Sequence, residues 1–143
     1  MAQHVRIELH RLNIRRVAIS SATKLIEKVT TEVQLLAKLD SRGPYSTGRT
    51  AASITKTVYV AGSTVHGDVR AHTPYAHIAH DGARPHIIRP RRAGGKLSFY
   101  WRKVGHVVNF PYVSHPGMQG KHFLSGPMER VGRRNRFVVF TFN

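Results

Sequence analysis

Hydrophobic positions change period several times along this chain, and each change marks an element. Val5, Ile7 and Leu9 alternate with Arg6, Glu8 and His10, the period of two that a short strand with one buried face shows. Asn13 then offers a helix cap. Beyond it Ile14, Val17, Ala18, Ser21, Ala22, Leu25, Val29, Val33 and Leu36 recur at steps of three and four. That is an apolar stripe on a helix ending near Leu39, about 39 Å long. Asp40 to Thr47, with Gly43 and Pro44, stops it. So long a helix in so short a chain is expected to lie partly against a neighbouring chain.

Ser53 to Ala61 and Thr64 to Ala71 read as two strands joined through Gly62-Ser63, a pair suited to a tight hairpin. In the second strand Val65, Gly67, Val69 and Ala71 share one face, and His66, Asp68, Arg70 and His72 the other. Thr73-Pro74 breaks the hairpin, Tyr75 to His80 forms a compact turn or short helix, and His86 to Arg89 is extended. Pro90 to Lys96 follows as a basic, Gly-containing loop with no means of burying itself, within a basic stretch of about 84–96. Leu97 to Trp101 and His106 to Phe110 make a second hairpin, with Phe99 and Trp101 the heaviest core or interface candidates. Pro111 to Lys121 reads as a loop, and His122 to Val131 as a short helix interrupted at Gly126-Pro127. The end, from Arg136 to Asn143, is a strand apolar on both faces that calls for cover on both sides. These elements predict an α+β fold: one long N-terminal helix on an antiparallel sheet of hairpins, then a short C-terminal helix and a terminal strand.

Length and composition narrow the setting. At 143 residues the chain is expected to be one domain, 1–143. No run approaches the roughly 18 apolar residues of a membrane helix, and the N-terminus has no signal-peptide pattern, so the expectation is a protein kept in the cytoplasm that makes it, without a membrane partner. Without cysteine, stability comes from packing, including packing between subunits. The 23 Lys and Arg against 7 Asp and Glu, a formal +16, favour nucleic acid or an acidic protein surface as neighbour. One basic cluster comprises Arg84, Arg89, Arg91, Arg92, Lys96, Arg102 and Lys103, and a second Arg130, Arg133, Arg134 and Arg136. Both suit phosphate contact without sequence readout.

Reaction chemistry is hard to find. His77 and His80 stand one helical turn apart with His72, Asp81 and His86 nearby, but a catalytic zinc site needs a third ligand and a general base as well. No Gly-x-Ser-x-Gly elbow, paired carboxylates or complete phosphate-binding loop is present. The expectation is a non-enzyme with no cofactor.

Three stretches taken together resemble one family. Thr47-Gly48-Arg49-Thr50-Ala51-Ala52-Ser53-Ile54 is similar to the "T-G-R-L-x-x-S-I" opening of the tailed-bacteriophage (siphophage) neck and tail-completion, or minor head–tail connector, proteins. Tyr75-Ala76-His77-Ile78-Ala79-His80-Asp81-Gly82-Ala83 resembles their "Y-A-x-x-x-E-x-G-T". Leu97-Ser98-Phe99, Val113-Ser114-His115-Pro116-Gly117 and His122-Phe123-Leu124 resemble the later "L-x-F … V-x-H-P-G … P-F-L". The likeness runs in order from about Met1 to Val131. His80 replaces the usual Glu and Ala83 the usual Thr, and Arg136 to Asn143 has no counterpart.

The resemblance implies a virion subunit that forms a hexameric ring in the phage neck, joins the DNA-filled head to the tail and leaves a channel for DNA. Its neighbours would be further copies of itself, head-closure or connector proteins, tail-terminator or tail-tube proteins, and passing double-stranded DNA. Its place would be the host cytoplasm during assembly and the virion neck afterwards. On this reading His80, Asp81, Phe123, Leu124, Phe137, Phe140 and Phe142 belong to subunit or ring interfaces. Arg84, Arg89, Arg91, Arg92 and Lys96 meet DNA or a neighbouring ring. Two rivals from other classes are a small basic protein binding nucleic acid without sequence preference and a small metal-dependent enzyme.

Overall fold

A computed structural model describes residues 3–9, 17–43, 46–136 and 138–142. In chain order the elements are β1 (His4–Leu9), α1 (Val17–Asp40), α2 (Arg49–Ser53), β2 (Ile54–Ala61), β3 (Thr64–Ala71) and α3 (Ala76–Asp81). There follow β4 (Gly82–Ala83), β5 (His86–Ile88), β6 (Leu97–Trp101), β7 (His106–Phe110), β8 (Val113–His115), β9 (Met118–Gln119), α4 (Ser125–Arg134) and β10 (Val138–Phe142). The α+β class and the long N-terminal helix are as the periodicity predicts. The proposed helix start at Asn13 lies outside the described residues. Where length alone predicts one domain, the chain forms two compact units, 1–81 with 120–143, and 82–119.

The larger unit is built on a four-stranded antiparallel sheet in the order β10-β1-β3-β2. Its register places Val5 beside Val69 and Phe142, and Ile7 beside Gly67 and Phe140. Those side chains, with Ile54, Val65 and Ala71, form one apolar face on which α1 lies. The buried stripe of α1 is Ala22, Ile26, Val29, Thr30, Val33 and Ala37. It is rotated from the predicted stripe: Ser21 is exposed, while Leu25 and Leu36 are only partly covered. The reason is Gly67. A Cβ there would stand 2.2 Å from Thr30 Oγ1 and 2.9 Å from Ile26 Cγ2, so the missing side chain lets the helix settle closest to the sheet on its Ile26–Thr30 side. Lys56 donates to Thr31 Oγ1 and Gln34 Nε2 to the Ile54 carbonyl at 2.9 Å, which ties α1 to β2.

Polar order holds the opposite face. Asp68 is 4 % exposed because it lies between Arg6 (3.4 Å) and Arg70 (3.0 Å), so the polar face expected of β3 is partly covered by its own ion pairs. Glu8 and His66 approach to 3.3 Å, and Tyr59 stacks on His66. Across the helices, Arg130 pairs with Asp40 and Arg134 with Glu32, so two members of the second basic cluster are held by carboxylates.

Three other expectations are corrected here. Ser53 ends α2 rather than starting a strand, and its hydroxyl donates to the Thr50 carbonyl at 2.8 Å. Gly126 and Pro127 do not interrupt α4: they occupy its first turn, where a missing N–H breaks no helical bond. The loop expected over Pro111 to Lys121 contains β8 and β9.

The smaller unit is one antiparallel ribbon. β4 pairs β9, β5 pairs β8 and β6 pairs β7. β5 at His86 to Ile88 is the extended piece expected there, ahead of the basic loop. Eight residues (89–96) join β5 to β6 while two (111–112) join β7 to β8, so the excess on the outgoing side is what bulges as the basic loop. Gly117 turns β8 into β9 at φ 83°, where a Cβ would meet the Ala83 carbonyl oxygen at 2.4 Å. Only glycine satisfies both constraints.

Candidate interaction surface

His80, at the end of α3, is the most informative polar residue of the larger unit. It is 1 % exposed. Its ring stacks on Phe142 at 4.8 Å and meets Phe123 edge-on at 5.4 Å. Its Nδ1 lies 2.6 Å from Asp81 Oδ1, and its Nε2 accepts the Ser125 backbone N–H at 3.3 Å. A backbone N–H can only donate, so Nε2 supplies the lone pair and Nδ1 carries the proton it gives to Asp81. The neutral ring thereby joins α3, the first turn of α4 and β10.

That assignment decides two chemical readings. His80, Asp81 and His122 bring their ligand atoms within 4.8 Å of one another, a grouping that does not include His77. Yet both nitrogens of His80 are engaged, and binding a metal at Nδ1 would place a proton on Nε2 against the Ser125 N–H. Ser125 Oγ also lies 3.2 Å from Nε2, which with Asp81 gives the distances of a Ser-His-Asp set. Here the lone pair is already shared with a backbone N–H. The Gly126 N–H donates to His122 O (2.8 Å), the Met128 N–H to Leu124 O (3.1 Å), and Pro127 has none, so the first turn of α4 presents no oxyanion donor. The cluster is a packing and capping device.

Residues expected at subunit interfaces divide accordingly. His80, Phe123 and Leu124 are essentially unexposed, so their place in the chain's own core corrects that assignment. Asp81 stays exposed and accepts from Gln3 Nε2 at 3.1 Å. Phe140 and Phe142 are half-buried beneath the helices, while Val139 on the other side of β10 is 38 % exposed. Among the described residues β10 pairs only with β1, so there it is an edge strand covered on one face rather than two. Phe137 lies outside the described residues.

The ribbon 82–119 is different in kind. None of its residues is buried. Arg84, Arg89, Arg91, Arg92 and Lys96 are all exposed. It holds seven Lys and Arg and no Asp or Glu. By the register of the β6–β7 pair, Leu97, Phe99, Trp101, Val108 and Phe110 share one face. Phe99, Trp101 and Phe110 line a groove of about 370 Å³ with Tyr112, Val113 and Ser114. Phe99 and Trp101 are 39 % and 41 % exposed, which corrects their candidacy for the core and leaves them on a surface. Sequence reasoning missed that Tyr112 and Val113 join them. The available signal was the short alternation of Val113-Ser114-His115 between Pro111 and Pro116. No protein-family model, curated protein or solved structure matches the chain.

Proposed function

We propose that this chain is a structural virion subunit that forms a ring in the neck of a tailed phage, joins the DNA-filled head to the tail and leaves a channel for DNA. The observation that carries the reading is the ribbon 82–119, which buries none of its residues and exposes an apolar face. An isolated two-stranded ribbon is marginal in water, so this one suits a protein whose job is to be covered by others. The residues of the family resemblance support the reading by what they do. Gly117 makes a backbone turn only glycine fits, and Phe123 and Leu124 fill the core. They maintain a shape rather than present a reacting group. Further copies of the chain, connector and tail proteins, and passing DNA are the partners on this reading.

The test is light scattering and negative-stain microscopy on the purified protein, with immunogold labelling of the particles that carry it. Closed rings and label at the head–tail junction are expected. A protein that stays monomeric at every concentration and is missing from particles sinks the reading. The absence of any carboxylate from the ribbon favours, as a second reading, a small basic protein that binds nucleic acid without sequence preference. Salt-sensitive gel shifts by a protein that never assembles would select it.

A further inference from the structure

We infer that the groove lined by Phe99, Trp101, Phe110, Tyr112, Val113 and Ser114 docks an acidic segment of a different protein, which inserts an apolar side chain between these rings. This names a partner class for the assembly reading and rests on it.

Charge selects the occupant. The ribbon carries seven cations and no acid, leaving a net +9 on the rest of the chain. A second copy would thus bring like charge to the groove from its ribbon and, on average, from the remainder, and like charges juxtaposed at an interface oppose binding. Arg102 and Lys103 in the β6–β7 turn, with Arg91, Arg92 and Lys96 in the bulging loop, suit carboxylates on either side of an inserted side chain. Ring geometry separates protein from nucleic acid. Phe99 and Phe110 meet at 6.2 Å with a 37° tilt, and Trp101 and Phe110 at 6.1 Å with a 71° tilt. Rings tilted against one another wall a concave groove, whereas single-stranded bases bind on open aromatic faces. An aromatic-lined groove on a ribbon that carries cations and no acid suits a protein hot spot, where aromatic anchors are buried within a polar surround.

Trp101 is the chain's one tryptophan, so its fluorescence reports occupancy directly. The intact protein is titrated with a synthetic peptide of alternating Glu and Leu around a central Phe. The controls are the same peptide with Ser for Leu and Phe, the same peptide with Gln for Glu, oligo-dT and a short DNA duplex. The acidic apolar peptide is expected to shift the emission to the blue with saturation and to weaken as salt rises. Tyr112→Ser, at a side chain 56 % exposed and so of little consequence for folding, should weaken it about tenfold. Arg102→Ser with Lys103→Ser should weaken it and flatten the salt dependence. Equal binding of the Gln peptide would overturn the role of charge, and stronger binding of either DNA would overturn the choice of protein. No change in Trp101 emission with any probe would overturn the docking site itself. Rings without peptide binding would refute this inference alone, and peptide binding without rings would refute the ring reading alone.

Discussion

Replacing Gly67 by alanine tests the packing on which the larger unit depends. In a strand exposed on one face the change should be favourable, because glycine in a strand interior costs roughly 0.5–1 kcal/mol relative to alanine. Here the new Cβ would lie 2.2 Å from Thr30 Oγ1 and 2.9 Å from Ile26 Cγ2, against ordinary carbon contacts of about 3.5 Å. Neither neighbour is the free end of a flexible chain: both are β-branched and sit on a helix, where χ1 is restricted. The helix must lift or a side chain must leave its rotamer, an overpacking cost of about 1–3 kcal/mol. With the overlap this deep the upper end applies, and a net loss of about 2 kcal/mol follows once the strand preference is subtracted. Urea unfolding followed by circular dichroism at fixed protein concentration would read it as a lower midpoint with unchanged slope. Thr30→Ala removes the nearer clash and a buried hydroxyl with no hydrogen-bond partner among the described residues. The double variant should therefore recover about 1 kcal/mol or more beyond additivity. If Gly67→Ala is as stable as the parent, or the two changes merely add, α1 does not seat on β3 at this point.

Four other outcomes follow from the same contacts. His80→Ala should cost about 2–4 kcal/mol, since it opens a cavity beside Phe142 and strips the Ser125 N–H of its acceptor, whereas His80→Phe, which keeps the ring and loses the nitrogens, should cost less in the same unfolding assay. Val139→Lys, on the uncovered side of an edge strand, should change stability by no more than about 0.5 kcal/mol yet weaken association if β10 takes part in it; sedimentation of unchanged oligomers would place the subunit contact elsewhere. Hydrogen exchange should be faster in the β6–β7 ribbon than in β1 or β3 of the free protein and slow in assembled particles, and equal protection in both states would count against its being covered. Arg91→Ser with Arg92→Ser should impair head–tail joining while rings remain if the loop meets a protein, but alter only DNA ejection if it meets the DNA path.

What could be read from the sequence tracks how local the deciding physics is. The β2–β3 hairpin was legible because Gly62-Ser63 and the alternation on both sides are local signals, and the register they set is the observed one, with Ala61 opposite Thr64. The rotation of α1 was not, because it depends on Gly67, more than thirty residues beyond Ile26 and Thr30. His80 shows the same limit more sharply. Its neighbours in sequence, His77 and Asp81, suggested surface or metal chemistry. Its neighbours in space, Ser125, Phe123 and Phe142, make it a neutral buried acceptor, and nothing near it in sequence announces them. The ribbon fails in the opposite direction. Phe99 and Trp101 look like core because aromatic alternation normally means burial, but among the described residues no third strand lies beside β6 and β7, which leaves them at the surface. Large side chains that would close a core in a longer sheet remain exposed here, on a ribbon whose charged side chains are all cationic, and that pairing of apolar surface with one sign of charge is what the docking proposal rests on.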